Sequence, residues 1–180
     1  MDLLVRAESI SPPADKWHLI SICSPDPDSV PESLIREDTI PILEEKGCEK
    51  HLSLCFSDVT ADQYPRFKKR YPEIILFSEE QAKEAFKFLS MTHESNEEVV
   101  FVVHCDAGIS RSGAVAQFAA DFFRINFKDG LIRPNATVYN TLSKVSGLRE
   151  RRESDLHAAF YKEAEKGEII ITGNKDEEIC

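Results

Sequence analysis

Three short apolar segments alternate along the chain with longer stretches of helical periodicity. WHLISIC (17–23) predicts a strand, and HLSLCF (51–56) alternates apolar and polar residues as a half-buried strand does. VVFVV (99–103) is apolar at every position, which is typical of a parallel strand that is buried on both faces. These segments predict three strands.

Between and after these strands, apolar residues recur with the three- and four-residue spacing of amphipathic helices. Ser78 and Gln81 form a capping-box pattern before one such stretch, and Asn135 is a suitable N-cap for another, which ends at Gly147. GEIIITG (167–173) fits either a late strand or a packed tail. The predicted helices cover residues 78–92, 111–126, 135–147 and 154–167.

Strands that alternate with helices predict an α/β fold with a mostly parallel central sheet flanked by helices. The 180 residues suffice for one domain with a real core, and the sequence has no internal repeat and no Gly/Ser-rich linker. We therefore expect a single domain over residues 1–180, with its core at about 17–165 and a frayed tail at 173–180. Ligands of such folds bind beyond the carboxyl ends of the strands.

Charge and composition argue against several classes of function. The net charge of -10 argues against nucleic acids and anionic membranes as main partners. No apolar stretch is long enough to cross a bilayer, and residues 1–16 lack the pattern of a signal peptide, so we expect a cytoplasmic protein. The five cysteines are irregularly spaced, which favours reduced thiols over a disulfide framework or a zinc site.

The segment HCDAGISRS (104–112) lies between the VVFVV strand and a predicted helix. A loop that enters a helix directs several backbone N–H groups and the positive end of the helix dipole toward one point, where an anion binds. Gly108 lets the backbone curl where a Cβ would intrude. The planar guanidinium of Arg111 matches two phosphate oxygens. This segment therefore predicts a phosphate-binding loop.

Cys105 stands at the start of that loop, where the helix terminus and the nearby cation favour the thiolate form of its side chain. A thiolate beneath a bound phosphate is placed for in-line displacement on phosphorus. The residues thus predict a reaction that passes through a covalent cysteinyl-phosphate.

Five positions of this segment, His104, Cys105, Gly108, Arg111 and Ser112, match the HCxxGxxR[S/T] signature of the cysteine-dependent protein tyrosine phosphatases. The short chain most resembles the compact dual-specificity branch, including its bacterial and viral members. The resemblance covers about residues 17–165 and is strong over 99–123. It implies a protein tyrosine phosphatase-like fold and a reaction that uses no metal and no cofactor.

The resemblance also assigns roles to single residues. Cys105 is the nucleophile, Ser112 hydrogen-bonds the thiolate and helps it leave, and His104 orients the loop without transferring protons. Pro134 and Asn135 resemble a Pro-Asn pair that begins a late helix and braces the phosphate loop, which makes Asn135 a supporting residue. The residues that surround the phosphate are Asp106, Ala107, Gly108, Ile109, Ser110 and Arg111.

The same resemblance requires a general acid, which protonates the leaving oxygen from a separate loop. HLSLCFSDVTAD offers Asp58 and Asp62, and Asp58 is preferred because it follows the strand pattern directly. The 47 residues from Asp58 to Cys105 exceed the spacing in the compact relatives, so the excess lies before the helix at Ser78.

Three further features each have two interpretations. Residues 62–77 carry four basic and two acidic side chains, a net charge of +2, and form either a lid or substrate-reading surface, or a solvated helical face. Asp106 either disfavours heavily charged substrates or is a solvated loop residue. Cys55 either forms a redox disulfide with Cys105 or is an inert core thiol.

Taken together, these features predict a phosphomonoester hydrolase whose partner is a phosphoprotein or phosphopeptide. Phosphotyrosine is the leading substrate, and phosphoserine and phosphothreonine are also compatible. The alternatives are a pseudophosphatase that binds phosphoproteins without turnover and a phosphatase of a small or lipid phosphate. The lack of Lys at 106–110 counts against a polyanionic inositol phosphate. The leading His and the closing Arg-Ser favour a phosphatase over sulfur transfer or arsenate reduction.

Overall fold

A computed structural model describes residues 16–25, 40–94, 100–125 and 132–158. Within these ranges the chain forms three strands and six helices. The strands are β1 (Trp17–Cys23), β2 (Cys48–Cys55) and β3 (Val100–His104). The helices are α1 (Ile40–Glu45), α2 (Tyr64–Arg70), α3 (Glu79–Glu94), α4 (Arg111–Phe123), α5 (Ala136–Ser146) and α6 (Glu153–Leu156).

The three strands form one parallel sheet in the order β2-β1-β3. With helices packed on this sheet, the predicted α/β class is confirmed. β1 is the middle strand, and its burial from Trp17 to Ile22 explains its nearly unbroken apolar sequence. β2 begins three residues earlier than predicted, because residues 48–50 still pair with the first residues of β1.

β3 differs from its prediction. Its VVFVV sequence indicated burial on both faces, but Val100 is exposed and the other residues of the strand are half-buried. The reason is its position, because β3 lies at an edge of the sheet that the described residues form. Phe101 and Val103 pack against the main core, and Val102 packs against a second apolar cluster that contains Trp17.

The helix α3 begins at the predicted capping box. Ser78 Oγ accepts the backbone N–H of Gln81 at 3.2 Å, and Gln81 Oε1 accepts the backbone N–H of Ser78 at 3.0 Å. The apolar face of α3 buries Ala82, Ala85 and Leu89 completely. It packs against α5 and contributes to the main hydrophobic core.

The bounds of α4 and α5 depend on residues with left-handed backbone. α4 ends at Phe123, three residues before the predicted end, because Arg124 has a φ of 57°. α5 agrees with its prediction, since the Asn135 side chain accepts two N–H groups of the first turn and Gly147, with a φ of 76°, ends the helix. The start of α5 is therefore fixed by the same asparagine that was predicted to brace the loop.

The later part of the chain is described only in part. Of the helix predicted at 154–167, the described residues include the short α6 with its buried Leu156. The rest of that helix, the segment 167–173 and the tail 173–180 lie outside the described residues. The helix α1 was not predicted. The helix α2 lies within residues 62–77, for which a solvated helical face was one of two interpretations, and it buries no side chain. None of the helices in the described ranges combines the length and apolar character that crossing a membrane requires.

The amino and carboxyl ends of the strands differ in their surroundings. At the amino end of β1, the fully buried Trp17 packs with Leu43 and Cys48 in a second, smaller core, and its indole Nε1 donates to the carbonyl of Lys46 at 2.7 Å. The carboxyl ends of all three strands lie at the opposite end of the sheet. The segments that follow β2 and β3 carry the predicted residues Asp58 and Cys105.

Candidate active site

Residues 105–110, called here the cysteine loop, connect the carboxyl end of β3 to α4. Ser110 is the N-cap of α4, but its side chain does not cap the helix, so it leaves the first-turn N–H groups oriented toward an external acceptor. Gly108 has a φ of +73°, and nothing lies within 4 Å of a Cβ built on it. Glycine is therefore required for its backbone conformation, and the predicted steric reason is wrong.

Cys105 follows β3 directly, and its side chain is buried, with 7% of the residue exposed. Its Sγ lies 3.2 Å from the Oγ of Ser112, which is also buried and belongs to the first turn of α4. A hydroxyl can donate to a thiolate or accept from a thiol at this distance. The loop thus brings the predicted Cys105 and Ser112 into contact.

The guanidinium of Arg111 is buried and is held from two sides. Its Nη1 donates to the carbonyl of Phe56 at 3.0 Å, and its Nη2 donates to the Oδ2 of Asp106 at 2.6 Å. Ser24 Oγ also donates to that Asp106 oxygen, at 3.2 Å. The Nε of Arg111 is buried and has no acceptor in the described part of the chain. The described contacts use two of the five N–H donors of Arg111, and the Nε–H is one of those left for an external anion, while its loop supplies one carboxylate.

Asp58 lies beside the cysteine loop, although 52 positions separate it from Ser110 in the sequence. Its Oδ1 accepts the Ser110 hydroxyl at 2.8 Å and the Asn135 side-chain amide at 2.9 Å. The backbone N–H of Asn135 also donates to the carbonyl of Ser110, at 3.2 Å. Asn135 is thus a common partner of Asp58, the cysteine loop and the first turn of α5.

Asp62 does not share this position. Its carboxylate accepts the hydroxyl of Thr60, and this hydrogen bond is the main reason that the pKa of Asp62 is lowered. Its neighbour Ala61 donates its backbone N–H to the Oγ1 of Thr137, at 2.7 Å. The segment 56–62, called here the Asp58 segment, is therefore fastened to α5 at both Asn135 and Thr137, with Asp58 directed to the loop.

The remaining predicted site residues are placed by the backbone. His104 is the last residue of β3, is half-buried and pairs in register with Ser21 of β1. The carbonyl of Ile109 accepts the backbone N–H of Arg133 at 3.1 Å, which ties the loop to the segment before α5. Ala107 is exposed within the loop. In the described ranges, no three His, Cys, Asp or Glu side chains group in a way that would hold a metal ion.

Cys55 does not fit a disulfide with Cys105. Since β1 lies between β2 and β3, two strand spacings, roughly 9–10 Å, separate the ends of the outer strands. The Cα atoms of a disulfide are at most about 7 Å apart. Cys55 is instead the partner of Cys23 in the parallel register of β1 and β2. Burial, followed by the neighbouring Cys55, raises the pKa of Cys23 to about 12.

The basic side chains of residues 62–77 are not equivalent. Lys68 Nζ donates to the carbonyls of Pro72 and, at 2.7 Å, Ile74, so it holds the turn after α2. The guanidinium of Arg70 lies 5.2 Å from the ring centre of Tyr71. Arg66 and Lys69 are exposed on α2. Only part of this basic set is therefore available to a partner.

Sequence reasoning missed three groups at the site. The Ser110 hydroxyl was predicted only as part of the phosphate loop, the Phe56 carbonyl carries no side-chain signal, and Thr137 lies outside every motif. For Ser110 the sequence favoured a hydroxyl that caps its own helix, and only the structure shows that it does not and so bonds another partner. The other two depend on how distant segments pack.

Comparison with known proteins gives one structural likeness. No protein-family model matches the sequence, and no curated protein matches it. Among solved structures, the crystal structure of Tk-PTP in the active form is similar, with 20% sequence identity over 92% of this chain and 84% of that chain. The TM-score of 0.37 means that the two folds superpose only loosely, so no residue role is transferred from Tk-PTP to this chain.

Proposed function

We propose that this protein is a phosphomonoester hydrolase that acts through a cysteinyl-phosphate, with protein phosphotyrosine as its leading substrate. The observation that supports this most is the convergence of a thiol, a buried guanidinium and a carboxylate on one loop. Cys105 begins the cysteine loop, Arg111 follows it as the first residue of α4, and Asp58 is tied to it through Ser110. A free cysteine alone is most often a small buried hydrophobe, whereas these three groups together provide what attack on phosphorus requires.

In the first step, Cys105 Sγ attacks phosphorus while the bond from phosphorus to the leaving oxygen breaks. The first-turn N–H groups of α4 and Arg111 hold the three other phosphoryl oxygens, and the unpaired Nε–H of Arg111 is a donor for one of them. Asp58, in its protonated form, transfers its proton to the leaving oxygen. The products are the free alcohol and the cysteinyl-phosphate.

In the second step, water attacks phosphorus and the sulfur–phosphorus bond breaks. Asp58, now a carboxylate, takes the proton of the attacking water. Cys105 leaves as a thiolate, which accepts a hydrogen bond from the Ser112 hydroxyl at 3.2 Å. Inorganic phosphate is released and the starting state of the enzyme is restored.

Asp106 favours substrates that carry a single phosphate. Its carboxylate is 2.6 Å from Arg111 and its side chain is 54% exposed, so it faces whatever enters the loop. No Lys at 106–110 offsets this charge. Further phosphates on a polyphosphorylated substrate would approach the carboxylate of Asp106 and be repelled. A phosphorylated side chain of a protein brings one phosphate and avoids this repulsion.

The experiment is an assay of the purified full chain on an aryl phosphate, with Cys105→Ser as the variant. We expect turnover to fall by a factor on the order of 10⁴ or more, because the nucleophile is lost. Binding of inorganic phosphate should remain, since Arg111 and the loop N–H groups are intact. Vanadate should inhibit the wild type, and EDTA should leave its activity unchanged.

Cys48→Ser is the matched control, because Cys48 is a buried thiol of the smaller core, away from the loop. It should retain activity. Phosphate binding by a wild type that shows no turnover on any phosphomonoester would favour a pseudophosphatase. Activity that survives in Cys105→Ser, or that EDTA removes, would contradict the cysteine mechanism.

A further inference from the structure

Two thiols that the proposed reaction does not use lie together at the carboxyl edge of the sheet. Cys23 is the last residue of β1 and Cys55 is the last residue of β2, and they are partners in the parallel register. Both are half-buried, and their parallel register places their side chains next to each other on one face of the sheet. The pair therefore combines adjacent thiols with partial access from solvent.

The spacing of the two strands is compatible with a disulfide. Paired strands lie about 4.7–4.9 Å apart, and the Cα atoms of disulfides are usually about 4.4–6.8 Å apart. Partners in a parallel pair direct their side chains to the same face of the sheet. Cys105 is on the other face from Cys23, because it belongs to the main core with Ile22, the residue before Cys23. Cys55 is thus the natural partner of Cys23.

The residue after each cysteine touches the cysteine loop or the arginine that follows it. Ser24, which follows Cys23, donates to Asp106 at 3.2 Å, and the carbonyl of Phe56, which follows Cys55, accepts from Arg111 at 3.0 Å. The commonest Cα separation in disulfides, about 5.5–6 Å, exceeds the spacing of paired strands, so closing the bond shifts the two strand ends next to the groups that hold Asp106 and Arg111.

We propose that Cys23 and Cys55 form a modification site in which a low-molecular-weight disulfide, such as glutathione disulfide, converts the two thiols into an intramolecular disulfide. We further infer that this disulfide weakens anion binding at the cysteine loop. The effect of the disulfide on anion binding rests on the proposed function, whereas the formation of the disulfide does not.

The reaction balances as two thiol–disulfide exchanges. The Cys55 thiolate attacks one sulfur of glutathione disulfide, whose sulfur–sulfur bond breaks, and one glutathione leaves. Cys23 then loses its proton and attacks the Cys55 sulfur of the mixed disulfide, and the second glutathione leaves. The two protein thiols lose two electrons and two protons, which the two glutathione molecules gain. Burial raises the pKa of Cys23, which favours Cys55 for the first attack.

The first test is a peptide map of the full-length wild type and of Cys105→Ser after treatment with glutathione disulfide. We expect both proteins to lose two hydrogen atoms in intact mass and to contain a crosslink between the Cys23 and Cys55 peptides. Cys23→Ser should stop at a glutathione adduct on Cys55, and Cys48→Ser should still form the crosslink. A crosslink between any other pair, or none in the wild type, would overturn the proposal.

The second test measures binding of inorganic phosphate to Cys105→Ser by calorimetry, before and after oxidation and again after reduction. We expect oxidation to weaken binding by about two- to tenfold, the worth of one hydrogen bond at Arg111, and reduction to restore it. Cys55→Ser in the same background should not respond to the treatment. Equal affinity in both states would overturn the link to the loop. If neither state binds phosphate, the proposed function and the link both fail, and the crosslink is judged by the first test alone.

Discussion

The cysteine loop and the Asp58 segment leave the same edge of the sheet but are held in place differently. Two side-chain contacts at the cysteine loop join residues that are close in sequence, Cys105 with Ser112 and Arg111 with Asp106, and distant contacts from Ser24 and the Phe56 carbonyl are added to them. The Asp58 segment is held by side chains that lie 52, 76 and 77 positions away. The residues of the nucleophile and the anion site therefore lie in one local segment that distant groups support, whereas the position of the acid depends entirely on how α5 and the loop pack against it.

The largest effect that separates the two regions is expected for Asp58→Asn. Loss of the proton donor should lower kcat by about 10²–10⁴ for an alkyl phosphate with a poor leaving group. The loss should shrink for an activated nitrophenyl ester, whose leaving group needs no proton. Phosphate binding at the cysteine loop should change little. The measurement is a series of kcat values against the pKa of the leaving group.

Asp62→Asn is the matched control, because Asp62 is an exposed carboxylate of the same segment that bonds to Thr60. Its kcat values should depend on the pKa of the leaving group as those of the wild type do. If Asp62→Asn changes the dependence on the leaving group and Asp58→Asn does not, the acid lies four residues further along the chain.

A smaller loss of kcat, again for substrates with poor leaving groups, is expected for Thr137→Val. Valine has nearly the shape of threonine but cannot accept the N–H of Ala61, so the Asp58 segment loses one of its attachments to α5. The net worth of one hydrogen bond corresponds to a loss of about two- to tenfold in kcat for poor leaving groups. The nitrophenyl ester and the KM of both substrates should be spared.

Thr137→Ser keeps the hydroxyl and should restore the wild-type dependence on the leaving group. A loss that is equal for all substrates, or that serine does not restore, would mean that Thr137 supports the fold of α5 and does not position the acid.

Asp106→Asn tests the cysteine loop itself and should strengthen the binding of inorganic phosphate. The amide keeps an acceptor for Arg111 but removes the negative charge that lies 2.6 Å from the guanidinium. Because the Asp106 side chain is about half exposed, the ion pair is worth at most about 1 kcal/mol, so inorganic phosphate should bind about two- to fivefold more tightly. The inhibition constant of phosphate measures this. Weaker binding would show that the charge of Asp106 orients Arg111 more than it competes with the ligand.

The smallest effect is expected at α2, where side chains that would bind the substrate can be distinguished from a side chain that supports the fold. Arg66→Ala combined with Lys69→Ala should raise KM for an acidic phosphopeptide by about two- to threefold and leave kcat for a small aryl phosphate unchanged. High salt should remove this difference, since the Debye length falls to about 3 Å at 1 M.

Lys68→Met is the structural counterpart of that double variant, because Lys68 bonds two backbone carbonyls of the turn after α2. It should lower the melting temperature by about 2–4 °C and leave KM unchanged. An unchanged KM in the double variant would favour the solvated helical face. A fall in kcat on every substrate would instead indicate that α2 belongs to a lid that positions Asp58.

The difference between the two regions also explains what the sequence could predict. The cysteine loop and the cap at Asn135 were predicted because their residue types act within one or two turns of chain. The place of Asp58 after β2 followed from the strand pattern, but its partners did not, because the fastening by Thr137 depends on the packing of α5. The pairing of Cys23 with Cys55 depends on the strand order, which no local pattern encodes. The ion pair of Arg111 with Asp106 was within reach of the motif and was overlooked.

The burial of Trp17 has a practical consequence. It is the single tryptophan of the chain. It lies at the amino end of β1, and the cysteine loop lies at the other end of the strands. Its fluorescence emission should therefore shift when the sheet unfolds and stay constant when an anion occupies the loop. The protein thus carries an internal spectroscopic reporter that distinguishes a variant with an impaired site from a variant that has lost its fold.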